Sequence, residues 1–207
     1  MRITLVEPAA PGFHVYSFLK LPRLGLPLLG TLLKERGHEV RIYAESLQEV
    51  DWDQVLSSDL VGISTITPTA IRAYRYALGV REAGIPTVMG GPHVTFLAEE
   101  ALVFCDYVIR GEGEGSLLEL VDYLEGRGSL GDILGLSYRG GDGDMVHNPC
   151  RPLRTSLTDL PCPTWACWRA LRESTPFPSW PRAVAPMDAN SARWFSCLGA
   201  ECAPQSR

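Results

Sequence analysis

The residues of this chain best suited to chemistry are short hydroxyls and glycines, and they fall at three similar junctions. Leu60-Val61-Gly62-Ile63 runs into Ser64-Thr65-Ile66-Thr67-Pro68. Thr87-Val88-Met89 runs into Gly90-Gly91-Pro92-His93, and Tyr107-Val108-Ile109 into Arg110-Gly111-Glu112-Gly113-Glu114-Gly115. Glycine lets a ligand approach the backbone and tolerates positive φ. Ser64, Thr65 and Thr67 add hydroxyl donors at a strand end. This is equipment for holding a ligand, and no catalytic residue is assigned. Two plainer roles stay open: Gly90-Gly91 as a tight strand-to-helix turn, and Glu112 and Glu114 as carboxylates favoured by a helix dipole.

The elements that position these junctions repeat a β-α rhythm five times. Residues 3–6 read as a first strand, followed by a Pro- and Gly-rich loop from about 8 to 24. Leu24, Leu28, Leu29, Leu32 and Leu33 recur at helical spacing, and Arg36-Gly37 stops that helix. A second strand covers 40–43 and a short helix 50–56, with Asp51 and Asp53 near its start. The third strand, 60–66, leads to a helix over 67–83 with Pro68 in its first turn. The fourth, 87–89, leads to a helix over 94–103. The fifth, 107–109, leads to one over 116–124, with Ser116 as N-cap and Glu119 at capping-box spacing. The fold class is α/β: a doubly wound, Rossmann-like or flavodoxin-like sheet of five parallel strands. Its ligand crevice lies outside the carboxyl ends of the strands. Residues 136–139 and 145–147 flank Gly140-Gly141-Asp142-Gly143-Asp144 as a small hairpin, and 149–163 reads as an extended linker.

Bulk composition narrows the partners. A net charge of −5 gives no surface for nucleic acid or anionic membrane. No apolar stretch approaches the roughly 20 residues of a membrane span. The N-terminus enters a strand pattern at once and reads as no signal peptide, so the expected location is cytoplasmic. The six cysteines, Cys105, Cys150, Cys162, Cys167, Cys197 and Cys202, include no C-x-x-C pair and are expected as free thiols. Neither G-x-x-x-x-G-K-[ST] nor G-x-G-x-x-G after the first strand is present, which speaks against nucleotide sites. The third strand ends in Ser64-Thr65 where a receiver would carry a phosphorylatable Asp.

Residues 1 to about 165 resemble the N-terminal cobalamin-binding domain of B12-dependent radical SAM proteins. The resemblance rests on the order of Leu24-Gly25-Leu26-Pro27-Leu28-Leu29-Gly30, Arg36-Gly37-His38-Glu39-Val40, Val61-Gly62-Ile63-Ser64-Thr65 and Gly90-Gly91-Pro92-His93-Val94-Thr95. Ile109-Arg110-Gly111-Glu112-Gly113-Glu114 and the linker Leu157-Thr158-Asp159-Leu160-Pro161-Cys162-Pro163 complete it. It implies that Ser64, Thr65, Thr67, Gly90, Gly91 and Pro92 line the cobalamin nucleotide tail, and that Gly111 and Glu112 border the corrin. The D-x-H-x-x-G of better-known corrinoid modules is absent; His14 is off that spacing, so no metal ligand is assigned, and His93 is expected to order its turn. The implied function is the cobalamin-binding part of a radical SAM enzyme of methyltransferase or related type, non-catalytic by itself. The alternative is a stand-alone corrinoid carrier or sensor.

Radical SAM catalysis uses a [4Fe-4S] cluster on C-x-x-x-C-x-x-C, with S-adenosylmethionine at its open position. Thiolates are the cluster's ligands, and this chain has no such motif. In an intact homologue the radical SAM domain shares the same chain. Val184-Ala185, Asp188-Ala189 and Ser191-Ala192 can each read as Cys in a shifted frame, at the spacing of the missing motif. Three alanines so placed arise in roughly one window per thousand. The tail is therefore expected to be an out-of-frame translation that truncates the chain before the cluster. The expected organisation is a cobalamin-binding domain over 1–126, hairpin and linker over 127–163, and an irregular tail over 164–207.

Overall fold

The computed structural model describes residues 1–10, 23–156 and 158–163. His14, most of the loop after the first strand and the whole 164–207 tail, with its shifted-frame reading, lie outside the described residues. Among the described residues, seven strands form one sheet in the order β2-β1-β3-β4-β5-β6-β7. The strands are β1 Arg2–Glu7, β2 Glu39–Ala44, β3 Leu60–Ser64, β4 Thr87–Gly90, β5 Tyr107–Ile109, β6 Leu136–Arg139 and β7 Met145–His147. The first five pair in parallel, with Val6 opposite both Tyr43 and Ile63, and Ser64 opposite Gly90. Strand order reverses between β1 and β3, and such a switch point opens a crevice.

The expected five-stranded sheet is corrected to seven. β6 pairs antiparallel with β5 (Ile109 opposite Leu136), and β7 with β6. A β5 edge would otherwise present unpaired backbone groups, and Leu136 on β6 is fully buried. The hairpin is thus part of the sheet rather than an appendage.

Each face carries its own helices. α1 (Gly25–Glu35) and α6 (Gly113–Leu124) cover one face, where Ile3, Leu5, Leu26, Leu33, Val88, Ile109 and Leu120 form a buried cluster. Arg36, just after α1, joins Asp122 of α6 at 2.8 Å. α2 (Trp52–Leu56), α3 (Ala70–Glu82), α4 (Pro92–Phe96) and α5 (Ala98–Ala101) cover the other. In α3 the buried positions Ala70, Ala73, Tyr74, Ala77 and Val80 keep the helical period that buries one stripe. Asp51 caps α2 by accepting from the Gln54 N–H at 3.1 Å.

Three helix boundaries move. Thr67–Thr69 is a single 3-10 turn ahead of α3, held by the Thr69 hydroxyl donating to the Ile66 carbonyl at 3.1 Å. The 94–103 helix is two, broken at Leu97, whose φ of −123° and ψ of 48° are not helical. Ser116 is no N-cap. α6 begins at Gly113, and Ser116 sits buried inside it, donating to the Leu134 carbonyl at 2.7 Å. Its expected capping partner Glu119 is bound instead by Arg151. Cys105 and Cys150 are free thiols, whereas Cys162 is disulfide-bonded, which corrects the expectation for that residue.

Candidate functional site

The carboxyl ends of β1, β3, β4 and β5 meet at one edge of the sheet. Two of the three junctions are knitted together there. The Thr65 N–H donates to the Gly90 carbonyl at 2.8 Å, and the His93 N–H to the Thr65 carbonyl at 3.4 Å. Gly91 has φ +105°, and a Cβ on it would stand 2.5 Å from the Thr65 carbonyl oxygen. Only glycine fits that crossing. The Thr95 hydroxyl donates to the Gly91 carbonyl at 2.9 Å and accepts from the Gly111 N–H at 3.1 Å, which ties in the third junction. His93 spans the rim, with Nδ1 3.3 Å from the Thr67 hydroxyl and Nε2 3.1 Å from that of Tyr74.

The residues singled out from sequence therefore converge, with differences of exposure. Ser64, Gly90, Gly91 and Glu112 are half-buried, while Thr67, Pro92 and Gly111 are exposed. Thr65 is 0% exposed, so its side chain lies beneath the surface of the crevice rather than on it. Glu112 holds the N-cap position of α6 without bonding the helix; its carboxylate accepts from the Arg154 N–H at 3.0 Å.

Side-chain direction sorts the edge further. Successive residues of a strand point to opposite faces. Ile3 and Leu5 face α1 and α6, so Glu7 does too, and Ser64 and Gly90 share that side with Leu60 and Val88. Glu7 is 8% exposed, and Arg23, two residues before α1, binds its Oε1 at 2.8 Å. Burial raises the Glu7 carboxyl above its ordinary range, against the pull of the Arg23 charge. Glu45, just after β2, is a second hub. It accepts from the Ala9 N–H at 2.8 Å, from Arg72 at 2.9 Å and from Tyr76 at 2.8 Å, which fastens the start of the post-β1 loop to α3. Burial and that carboxylate push the Tyr76 phenol up to about 12, so it stays a donor at neutral pH.

Four buried side-chain atoms lack a hydrogen-bond partner among the described residues: Glu7 Oε2, Thr65 Oγ1, Arg110 Nε and Glu114 Oε2. Buried polar atoms are paired in the great majority of cases. All four exceptions here belong to residues at or just past the carboxyl ends of β1, β3 and β5. That concentration marks where a polar ligand would complete the structure. A groove of about 560 Å³ lined by Arg81, Tyr107, Tyr123 and Arg139 opens at the opposite end of the strands. Its arginines are already engaged, Arg81 with the Val103 carbonyl and Arg139 with that of Leu102.

A strap that sequence reading passed over closes the β5 side. β7 runs parallel to β5, because both are antiparallel to β6, and so delivers the chain back to the carboxyl edge. There Arg110 binds the Asn148 carbonyl, and Arg151 binds Ser116 Oγ at 3.0 Å as well as Glu119. A Cβ on Gly115 would stand 2.9 Å from the Arg151 guanidinium, so that glycine admits the strap. Proline and arginine in an extended stretch give no sequence signal for such docking.

Comparison with known proteins shows the family and the fold. Residues 16–121 match the family model of the B12 binding domain. The chain is 38% identical over 156 residues to an uncharacterized methyltransferase of Pyrococcus horikoshii, covering 70% of this chain and 33% of that protein. It is 28% identical over 158 residues to the hopanoid C-3 methylase of Methylococcus capsulatus, covering 69% of this chain and 30% of that one. The chain thus spans about a third of the length of these relatives. In fold it is similar to the cobalamin-dependent S-adenosylmethionine radical enzyme OxsB with aqua-cobalamin bound, with TM-score 0.63 and 20% identity over 78% of this chain and 24% of that one. It is likewise similar to the radical S-adenosylmethionine methyltransferase TsrM from Kitasatospora setae with cobalamin and [4Fe-4S] cluster bound, with TM-score 0.56 and 24% identity over 78% of this chain and 31% of that one.

Proposed function

We propose, because this chain belongs to the family of B12-binding domains, that its carboxyl-edge crevice holds cobalamin and presents it to a radical SAM domain of methyltransferase type. The observation that carries this reading is the gathering of all four orphaned buried polar atoms at that edge. The residues there fit the group. Ser64 and Gly90 leave room beside the sheet on the α1 and α6 side, and the Gly91 turn brings bare backbone to the rim. Cobalamin, when bound, supplies a cobalt centre able to carry a methyl group.

The chain's own residues bind and orient. Ser64, Thr67, Gly90, Gly91 and Pro92 form the wall for the nucleotide tail over the buried Thr65, and Gly111 and Glu112 border the ring. His93 positions this wall by fixing α4 against Thr67 and Tyr74. The strap from Asn148 to Arg154 keeps the β5–α6 turn in place. The protein supplies position while the cofactor carries the chemistry. We place it in the cytoplasm, a reading that the free thiols of Cys105 and Cys150 support and the disulfide at Cys162 does not.

Hydrogen exchange locates the site. Adding hydroxocobalamin is expected to slow exchange in 64–67, 90–95 and 111–116 and to leave the Arg81–Arg139 groove unchanged. Protection confined to that groove would contradict the assignment.

A further inference from the structure

Two of the orphaned atoms are carboxylate oxygens on the same side of the sheet. Glu7 ends β1 and faces the α1 and α6 layer, as its alternation with Ile3 and Leu5 requires. Glu114 lies in the first turn of α6 itself. Each keeps its Oε2 buried and unpartnered. Arg23 occupies only Oε1 of Glu7. A buried carboxylate oxygen left without a donor costs more than an exposed one, and the cost falls when a donor arrives. The same two charges reject an anion, since like charges brought together in a buried site repel one another. A divalent cation would need further ligands, and no group of three or more His, Cys, Asp or Glu gathers among the described residues.

We propose that Glu7 and Glu114 are acceptors that read neutral N–H donors of the ligand, the primary carboxamides on the corrin periphery. This rests on the cobalamin reading above and goes beyond it by naming the residues that make the crevice selective for amides over acids. An amide hydrolysed to a carboxylate keeps its size but loses both donors and gains a charge. Glu7 and Glu114 would then meet a repelling group in place of a donor.

The test uses hydroxocobalamin and its monocarboxylic acids, in which single peripheral amides are hydrolysed, with the full chain and with Glu7→Gln and Glu114→Gln. Binding is read by equilibrium dialysis, and folding of each variant by circular dichroism. The full chain is expected to bind at least one monoacid about tenfold or more weakly than hydroxocobalamin, as like-charge rejection requires. In Glu7→Gln or Glu114→Gln that ratio should fall to about twofold or less, because a neutral amide does not repel the acid. The second variant keeps the test decisive if the first does not fold. If the full chain binds hydroxocobalamin and all monoacids alike, the amide-reading proposal is wrong and the cobalamin reading stands. An undiminished ratio in both folded variants also overturns it. If the full chain binds no corrinoid at all, both fall together.

Discussion

Gly91→Ala is expected to be the most damaging single change in the crevice. At φ +105° an L side chain is strained, and its Cβ would stand 2.5 Å from the Thr65 carbonyl oxygen and 3.0 Å from the Thr65 nitrogen. Those are backbone atoms, so no side-chain rotation relieves the clash. The Thr65–Gly90 and His93–Thr65 hydrogen bonds must shift with it. Strain of this kind costs about 1–3 kcal/mol before any clash is counted. A drop in Tm of about 10 °C and loss of hydroxocobalamin binding are expected, at roughly 2–4 °C per kcal/mol for a chain of this size. Two neighbours serve as controls. A Cβ on Gly90 would meet nothing nearer than the Ile109 carbonyl at 3.9 Å, so Gly90→Ala is expected to leave Tm within about 2 °C. Gly111 has φ +77° but open space around it, and Gly111→Ala should fall between the two. Thermal unfolding of the three variants gives the order, and equal Tm values would refute it.

Truncation is expected to have the other large effect. The sequence reading divides the chain at residue 126, but the sheet does not end there. A chain ending at 126 loses Ile133 and Leu136, both nearly inaccessible in the cluster beneath α6. Full burial of each such side chain contributes about 1.5–3 kcal/mol, and the bared β5 edge invites aggregation. Among the described residues, a chain ending at 150 keeps all seven strands and loses the Arg151 and Arg154 contacts and the disulfide-bonded Cys162. We expect the 1–150 chain to stay monomeric and cooperative, slightly less stable than 1–163, and the 1–126 chain to aggregate. Size-exclusion chromatography and thermal scans separate these outcomes. A stable monomer from 1–126 would restore the earlier boundary.

The crevice was legible in the sequence because its parts are local. An apolar run that breaks into Ser64-Thr65, Gly90-Gly91 or Gly111 announces a strand end by residue type alone. β5 ends at Ile109 as read, whereas β4 runs one residue further, to Gly90, and β3 stops at Ser64, two residues short of the expected 60–66. What was not legible depends on pairing across long separations. Nothing in Leu136-Ser137-Tyr138 says that β6 joins β5 rather than standing apart. Ser116 matched a capping pattern, yet the helix starts three residues earlier and buries it. Glu7 carried no site assignment because a carboxylate before Pro8 looks like loop polarity. Its signal was available, since period-2 alternation from Ile3 and Leu5 points it to the covered face. Arg23 and Glu114 offered no comparable cue, their burial arising from α1 and α6 closing on the same edge.

Equilibrium dialysis of the purified chain against hydroxocobalamin tests the central claim most directly, with circular dichroism to establish that the protein is folded. One corrinoid per chain is expected, retained through gel filtration and displaced from Gly91→Ala. A folded chain that takes up no corrinoid under these conditions would contradict the assignment of the carboxyl-edge crevice.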